Sequence, residues 1–299
     1  MGCSSILVNI AGVRIRIVVE SPLHFKDDAI GFRGFAVPDD GMDADLNVRY
    51  VDAEGEHDES DRTQYFVGDC RGTEMPDHRW ECGICADGTE YIVVDSFTNI
   101  LPYKWIKLMV AGNDGVLKLV RKDTHCLDID PFIYPLFSLM FSRLLKRRRS
   151  FLIHSSVVDD GGRGYLFTAV SGTGKSTMAK IWESQGASIV NDDMIALVCD
   201  DNSIVANNIP MPYYSATPSK VALSAIFLIS QSKQNFVRPL RGAQSVLRLS
   251  ANTINQPYNK LQAIEHLQFV EQVSKCVPIY ELGFKPDADI VLEIRKLMS

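Results

Sequence analysis

What this sequence lacks narrows it first. No apolar run reaches the roughly 20 residues that a helix needs to cross a bilayer, so no membrane span is expected. The opening Met1-Gly2-Cys3-Ser4-Ser5-Ile6 has no signal-like pattern, and it sets Ile6 where a myristoylation motif requires Ser or Thr. Neither a lipid anchor nor a membrane partner is expected. Cysteine is too sparse and too irregular for a disulfide framework: an odd seven, suited to reduced thiols and a cytoplasmic location. Positive charge is in deficit, with 31 Lys and Arg against 37 Asp and Glu and a net charge of −6. Without a long basic face a general nucleic-acid binder is excluded, and the partner is expected to be small or proteinaceous. Homo-oligomerisation is left open.

What is present is enough for a sizeable interior. At 299 residues and 46% hydrophobic, the chain can bury one large core or two modest ones, and two domains are expected. The first half reads as hairpins. Ile6–Ile10 and Val13–Val19 flank the tight turn Ala11-Gly12, and Leu46–Val51 alternates as a strand. Between them the carboxylates Asp39, Asp40 and Asp43 lack calcium-loop spacing and read as a solvated loop. The charged stretch Asp52 to Asp61 reads as a mobile turn.

Cys70, His78, Cys82 and Cys85 resemble a zinc set at first sight. The segment is read more simply as a hairpin, His78–Cys85 and Glu90–Val94 turning at Asp87-Gly88, and residues three apart on a regular strand face opposite sides. Val116–Val120 closes a mainly β domain over residues 1–128. Residues 129–150 form a linking helix beginning at Asp130-Pro131, with Phe132, Leu136, Leu139, Met140 and Leu144 at helical spacing and basic residues to Arg149 at its end. Tyr134 and Phe137 favour packing over a membrane surface.

The chain is organised around Gly164–Thr177. An apolar strand, Tyr165–Val170, runs into Ser171-Gly172-Thr173-Gly174-Lys175-Ser176-Thr177 and then into a helix closed by Gly186. Glycines at 172 and 174 let backbone N–H groups and a helix N-terminus approach a polyphosphate; Lys175 would reach the β/γ-phosphates and Ser176 a Mg²⁺ ion. Ala169 stands where the usual motif opens with Gly, so the loop entry must accommodate a Cβ at negative φ. A short strand, Ala187–Val190, would deliver Asn191-Asp192-Asp193 at its C-terminal end. There one carboxylate can hold Mg²⁺ and the other can accept a proton from an attacking hydroxyl.

In order and spacing, His154, the loop Ser171–Ser176, the helix ending at Gly186 and Asp192-Asp193 resemble the HPr kinase/phosphorylases, whose nucleotide domain is similar to that of ATP-dependent phosphoenolpyruvate carboxykinases. The resemblance covers roughly the central third of the chain. It implies an α/β P-loop domain over residues 151–299 that binds ATP and Mg²⁺, with Lys175 and Ser176 on phosphate and metal, Asp192 as metal ligand, Asp193 as base and His154 beside it. Ser155 replaces the usual Gly after the histidine. The chain looks more like the HPr-kinase-related enzymes found beside peptide-modification systems, which phosphorylate serine hydroxyls on peptides or small molecules. The alternatives are a carboxykinase-like enzyme and a nucleotide-binding module without turnover.

Phosphoryl transfer also wants a cation on the migrating group, and Arg241, before Gly242 at a helix entrance, is the first candidate among Arg238, Arg241 and Arg248. Tyr213, Tyr214, Ser215 and Thr217 form a loop that could close over an acceptor or merely connect. The β domain is expected either to choose the acceptor or merely to cover the apolar helix Phe132 to Leu144. Helices at Lys260–Val273 and Ile290–Met298 and a strand at Ile279–Leu282 read as scaffold.

Overall fold

Val13, Ile15, Ile17 and Val19 are fully buried while Arg14, Arg16 and Val18 between them are not, the alternation of a strand with one face on a core. The computed structural model, which describes residues 4–26, 30–57, 62–69, 78–97, 102–130, 135–200, 203–211, 217–257 and 259–299, builds on that pattern. The first half runs β1 (Ser4–Ile10), β2 (Val13–Val19), β3 (His24–Phe25), α1 (Ile30–Arg33), β4 (Ala36–Val37), β5 (Leu46–Asp52), β6 (Arg62–Asp69), β7 (His78–Cys85), β8 (Glu90–Ser96), β9 (Tyr103–Ala111), β10 (Asp114–Arg121), β11 (Asp128–Ile129) and α2 (Leu136–Arg147). Nine of these strands form one sheet in the order β4-β1-β2-β5-β10-β9-β8-β7-β6.

The expected hairpins are there. Ala11 and Gly12 both take positive φ, the geometry that matches a two-residue turn to the twist of β1 and β2. β7 and β8 pair antiparallel with Ile84 opposite Glu90. Asp39 and Asp40 are engaged by Arg16 and Arg14, which ties that loop to β2. Cys70, Asp61, Pro131, Phe132, Tyr134 and the loop residues Tyr213, Tyr214 and Ser215 lie outside the described residues.

The second half continues β12 (Ser150–Asp159), β13 (Gly164–Thr168), α3 (Lys175–Ser184), β14 (Ser188–Asp200), β15 (Ser203–Asn208), β16 (Lys220–Gln231), β17 (Phe236–Leu240), α4 (Ala243–Ser250), β18 (Thr253–Ile254), α5 (Lys260–Cys276), β19 (Ile279–Phe284) and α6 (Asp289–Leu297). The eight-stranded sheet is ordered β13-β12-β14-β15-β16-β19-β17, with β18 on β12. A further β13–β16 pairing closes β12 to β16 into a circuit.

Both faces of this sheet are covered, which is why β13 and β16 read as unbroken apolar runs. Tyr165, Phe167, Ala225, Phe227 and Ile229 point into one layer with Met178 and Trp182 of α3 and Ile290, Val291 and Ile294 of α6. Leu166, Ile226 and Leu228 point the other way, toward Leu249 of α4 and Val270 and Val273 of α5. At about 25 cal/mol per Å² of apolar surface, a fully buried Phe167 or Trp182 stabilises the layer by several kcal/mol.

The chain thus has a mixed α/β architecture of large sheets and few helices. It divides into two compact units: Met1–Leu144 with Pro210–Thr217 and Gln256–Gln262, and Leu145–Ile209 with Pro218–Asn255 and Ala263–Ser299. The first unit extends past residue 128 into α2 and takes in two short segments from the second half. Among the described residues no helix is long and apolar enough to cross a membrane.

Candidate functional site

Strand register sets the level of the site. Thr168, the last residue of β13, pairs with Ser155 of β12, and Ser155 pairs in turn with Asp193 of β14. The point where the glycine loop begins is therefore level with Asp193, about 10 Å away across one intervening strand. The sequence places Asp192 and Asp193 at the end of a short strand, and here the structure corrects it. β14 runs on to Asp200, because Ile195 to Val198 pair with β12 on one side and β15 on the other. The carboxylates come from mid-strand, yet at the height of the loop.

The loop spans Ala169 to Gly174. Among the described non-glycine residues only Ala11 and Arg149 have positive φ, so Ala169 occupies the entry with ordinary backbone and a buried methyl. Gly172 and Gly174 carry the turn at φ 77° and 112°. Thr173 Oγ1 donates to the Val170 carbonyl at 2.9 Å and braces it. Gly174 caps α3 with no side-chain bond, so the amides of Lys175, Ser176 and Thr177 have neither an intrahelical nor a side-chain acceptor at the cap. Such an end favours an anion. Ser171, Gly172, Ser176 and Thr177 are exposed around it, and Thr173 and Gly174 are half-buried.

Lys175 turns inward. It is only 7% exposed, and Nζ donates to the carbonyls of Ala169 at 3.1 Å and Val170 at 3.4 Å. Burial pulls its pKa below the usual lysine value, while the charges of Asp193 and then Asp192 push the other way. The ammonium therefore lies in the field of both carboxylates.

A strictly alternating strand would send Asp192 and Asp193 to opposite faces. The two aspartates follow directly on an irregular stretch of β14. Val190 is an extra residue in β14, since Val157 pairs with Asn191 but Val158 pairs with Ile189. Buried Asn191 then accepts from the amides of Asp193 at 3.1 Å and Met194 at 3.4 Å, while its own amide donates to the Ile209 carbonyl. Ser156 Oγ donates to Asp192 Oδ1 across the ladder. His154 Nε2 stands 3.4 Å from Asp193 Oδ1, longer than a close hydrogen bond. The carbonyl of His154 accepts from Thr168 Oγ1 at 2.8 Å, linking the histidine to the strand that feeds the loop.

His154, Lys175, Asp192 and Asp193 are thus gathered at one level of the sheet. Arg241 is not brought to them. β13, β16 and β19 run parallel, and Phe284 at the end of β19 lies beside Gly174. β17 returns antiparallel, with Leu240 opposite Ile279 at the start of β19. Arg241 follows Leu240 and so emerges at the opposite end of the sheet, where it borders a groove with Leu247, Ile264 and Leu267. Arg238 lies on β17, its guanidinium over the Phe236 ring, and Arg248 pairs with Glu281 at 3.2 Å.

Ser156, Asn191 and Thr168 are the contributors that motif reading misses. The signal for the first is a pair of serines inside the otherwise apolar run of β12; for the second it is an asparagine directly before two aspartates.

No protein-family model matches the sequence, and no curated protein matches it. Among solved structures the chain is similar to the Hpr(Ser) kinase/phosphatase from Coxiella burnetii, at 13% sequence identity over 49% of this chain and 97% of that chain, with a TM-score of 0.31.

Proposed function

We propose that this chain is an ATP- and Mg²⁺-dependent kinase that phosphorylates a serine-type hydroxyl on a peptide, protein or small molecule. What supports the reading is the register that sets Asp192 and Asp193 level with the start of the glycine loop, together with the glycine-capped helix N-terminus at which buried Lys175 lies. In this reading the loop amides and Lys175 hold the β/γ-phosphates of ATP. The acceptor hydroxyl gives its proton to Asp193 as its oxygen bonds to the γ-phosphorus, the bond from that phosphorus to the bridging oxygen breaks, and ADP leaves. His154, beside Asp193, keeps that carboxylate aimed and can take the proton onward.

The donor set suits Mg²⁺. Ser176 and Asp192 offer hard oxygens, and a nucleotide-borne magnesium takes the rest of its ligands from phosphates and water. It does not call for a cluster of three or more His, Cys, Asp or Glu, and none exists among the described residues. When bound, the ion neutralises phosphate charge. Because the site residues fall between His154 and Asp193, choice of acceptor is assigned to the β-rich first unit.

The test is incubation of the full chain with Mg²⁺, ATP labelled at the γ-phosphate and a panel of serine-containing peptides and small hydroxyl compounds, read by mass spectrometry. Label on a hydroxyl oxygen is the expected result. Tight ATP binding without transfer to any acceptor would favour a nucleotide-binding module, and absence of ATP binding would overturn the reading.

A further inference from the structure

Ser156 is fully buried in β12, a strand covered on both faces, where an apolar side chain would fill the same space at no polar cost. A buried hydroxyl is costly unless it is hydrogen-bonded. The bond this one makes is to Asp192 Oδ1, its register partner on β14. The bulge at Val190 lies just beyond the next pair, Val157 with Asn191, so the Ser156–Asp192 pair is the second before register is lost. Occupying Oδ1 fixes the carboxylate about its terminal torsion, which is otherwise broad, and leaves Oδ2 without a hydrogen-bond partner among the described residues.

We infer that Ser156 is a positioning residue for Asp192: it holds one carboxylate oxygen so that the other is presented to a divalent cation carried by the nucleotide. The inference rests on the kinase reading of this site and goes further, because it assigns metal affinity to a hydroxyl that itself touches neither metal nor phosphate. Partners that orient metal ligands in this way are worth about 10- to 100-fold in metal affinity.

The experiment measures Mn²⁺ binding by the loss of the free-ion electron paramagnetic signal, in the presence of a non-hydrolysable ATP analogue, for wild type, Ser156→Ala, Asp192→Asn and the double variant. Ser156→Ala should weaken Mn²⁺ binding at least tenfold. In the Asp192→Asn background the same change should have little further effect, because the hydroxyl then holds an amide oxygen and no charged ligand is left to aim. If Ser156→Ala does not fold, Ser156→Thr and Ser156→Val make the comparison, being alike in shape and differing in the hydroxyl; the threonine variant should bind Mn²⁺ at least tenfold more tightly. Unchanged Mn²⁺ affinity in Ser156→Ala, or equal losses in both backgrounds, overturns the positioning role. Wild-type protein that shows no metal-dependent nucleotide binding overturns the kinase reading beneath it, a different result.

Discussion

Thr253 fixes the tautomer of His266. The threonine hydroxyl donates to the Ser250 carbonyl at 2.7 Å, so at its 2.7 Å contact with His266 Nε2 it must accept, which puts the imidazole proton on Nε2. Nδ1 is left buried with no partner, beside the edge-on ring of Phe151.

Burial, aided by the charge of Lys146, lowers the His266 pKa to about 4. Above its unfolded value both states are neutral and pH has no effect through this group. As pH falls from about 6.5 to about 4 the unfolded chain gains a proton that the folded one refuses, so stability declines, by on the order of 3 kcal/mol. His266→Gln keeps a donor for Thr253 and does not titrate. Its urea midpoint should therefore fall less than that of wild type between pH 7 and pH 4; parallel curves would refute the assignment.

Lys175→Met separates stability from function. Burial disfavours the charged lysine in the folded state, a penalty present at neutral pH and relieved only as pH rises toward the usual lysine value. An isosteric neutral side chain removes it. The ligand-free variant should melt above wild type in calorimetry while phosphoryl transfer falls about 100-fold or more. A lower melting temperature would mean that the bonds to the Ala169 and Val170 carbonyls outweigh desolvation.

Gly174→Ala should damage the site more than Gly172→Ala. Both positions have positive φ, but a Cβ at 174 would also lie 2.9 Å from Phe284 Cζ, whereas at 172 it meets nothing within 4 Å. The strain alone costs about 1–3 kcal/mol. Thermal melts and nucleotide titrations should rank wild type first, the 172 variant second and the 174 variant last.

The two aspartates should part ways. Asp193→Asn should retain ATP and Mg²⁺ binding and lose transfer by roughly 100-fold or more, as expected for removal of a base. Asp192→Asn should raise the Mg²⁺ concentration needed for half-maximal rate. Metal titrations that show the reverse pattern would exchange the two roles.

Much of this was legible in the residues. Ala11-Gly12 and Asp87-Gly88 announce their hairpins because turn chemistry is local, and the strand, loop and helix around Lys175 are legible for the same reason. Longer-range facts were not. That β14 overshoots the aspartates depends on its having partners on both sides; the apolar run Met194 to Cys199 signals a strand but does not say which strands flank it. Arg241 misled because the sequence gives its distance along the chain but not the reversal of β17 that carries it to the far end of the sheet. Ser156 was hidden by its type, since a serine reads as surface unless its strand is known to be covered twice.

The β13–β16 pairing has a consequence for synthesis. Gly164 pairs with Leu223 and Thr168 with Leu228, so when the loop residues leave the ribosome β13 has β12 beside it and an open flank. The wall behind α3 comes later still, when Ile290, Val291 and Ile294 pack with Met178 and Trp182. A chain ending after residue 210 would carry every residue of the motif yet lack β16 and α6, and should bind ATP far more weakly than the full-length protein, because the loop is shaped by strands translated after it.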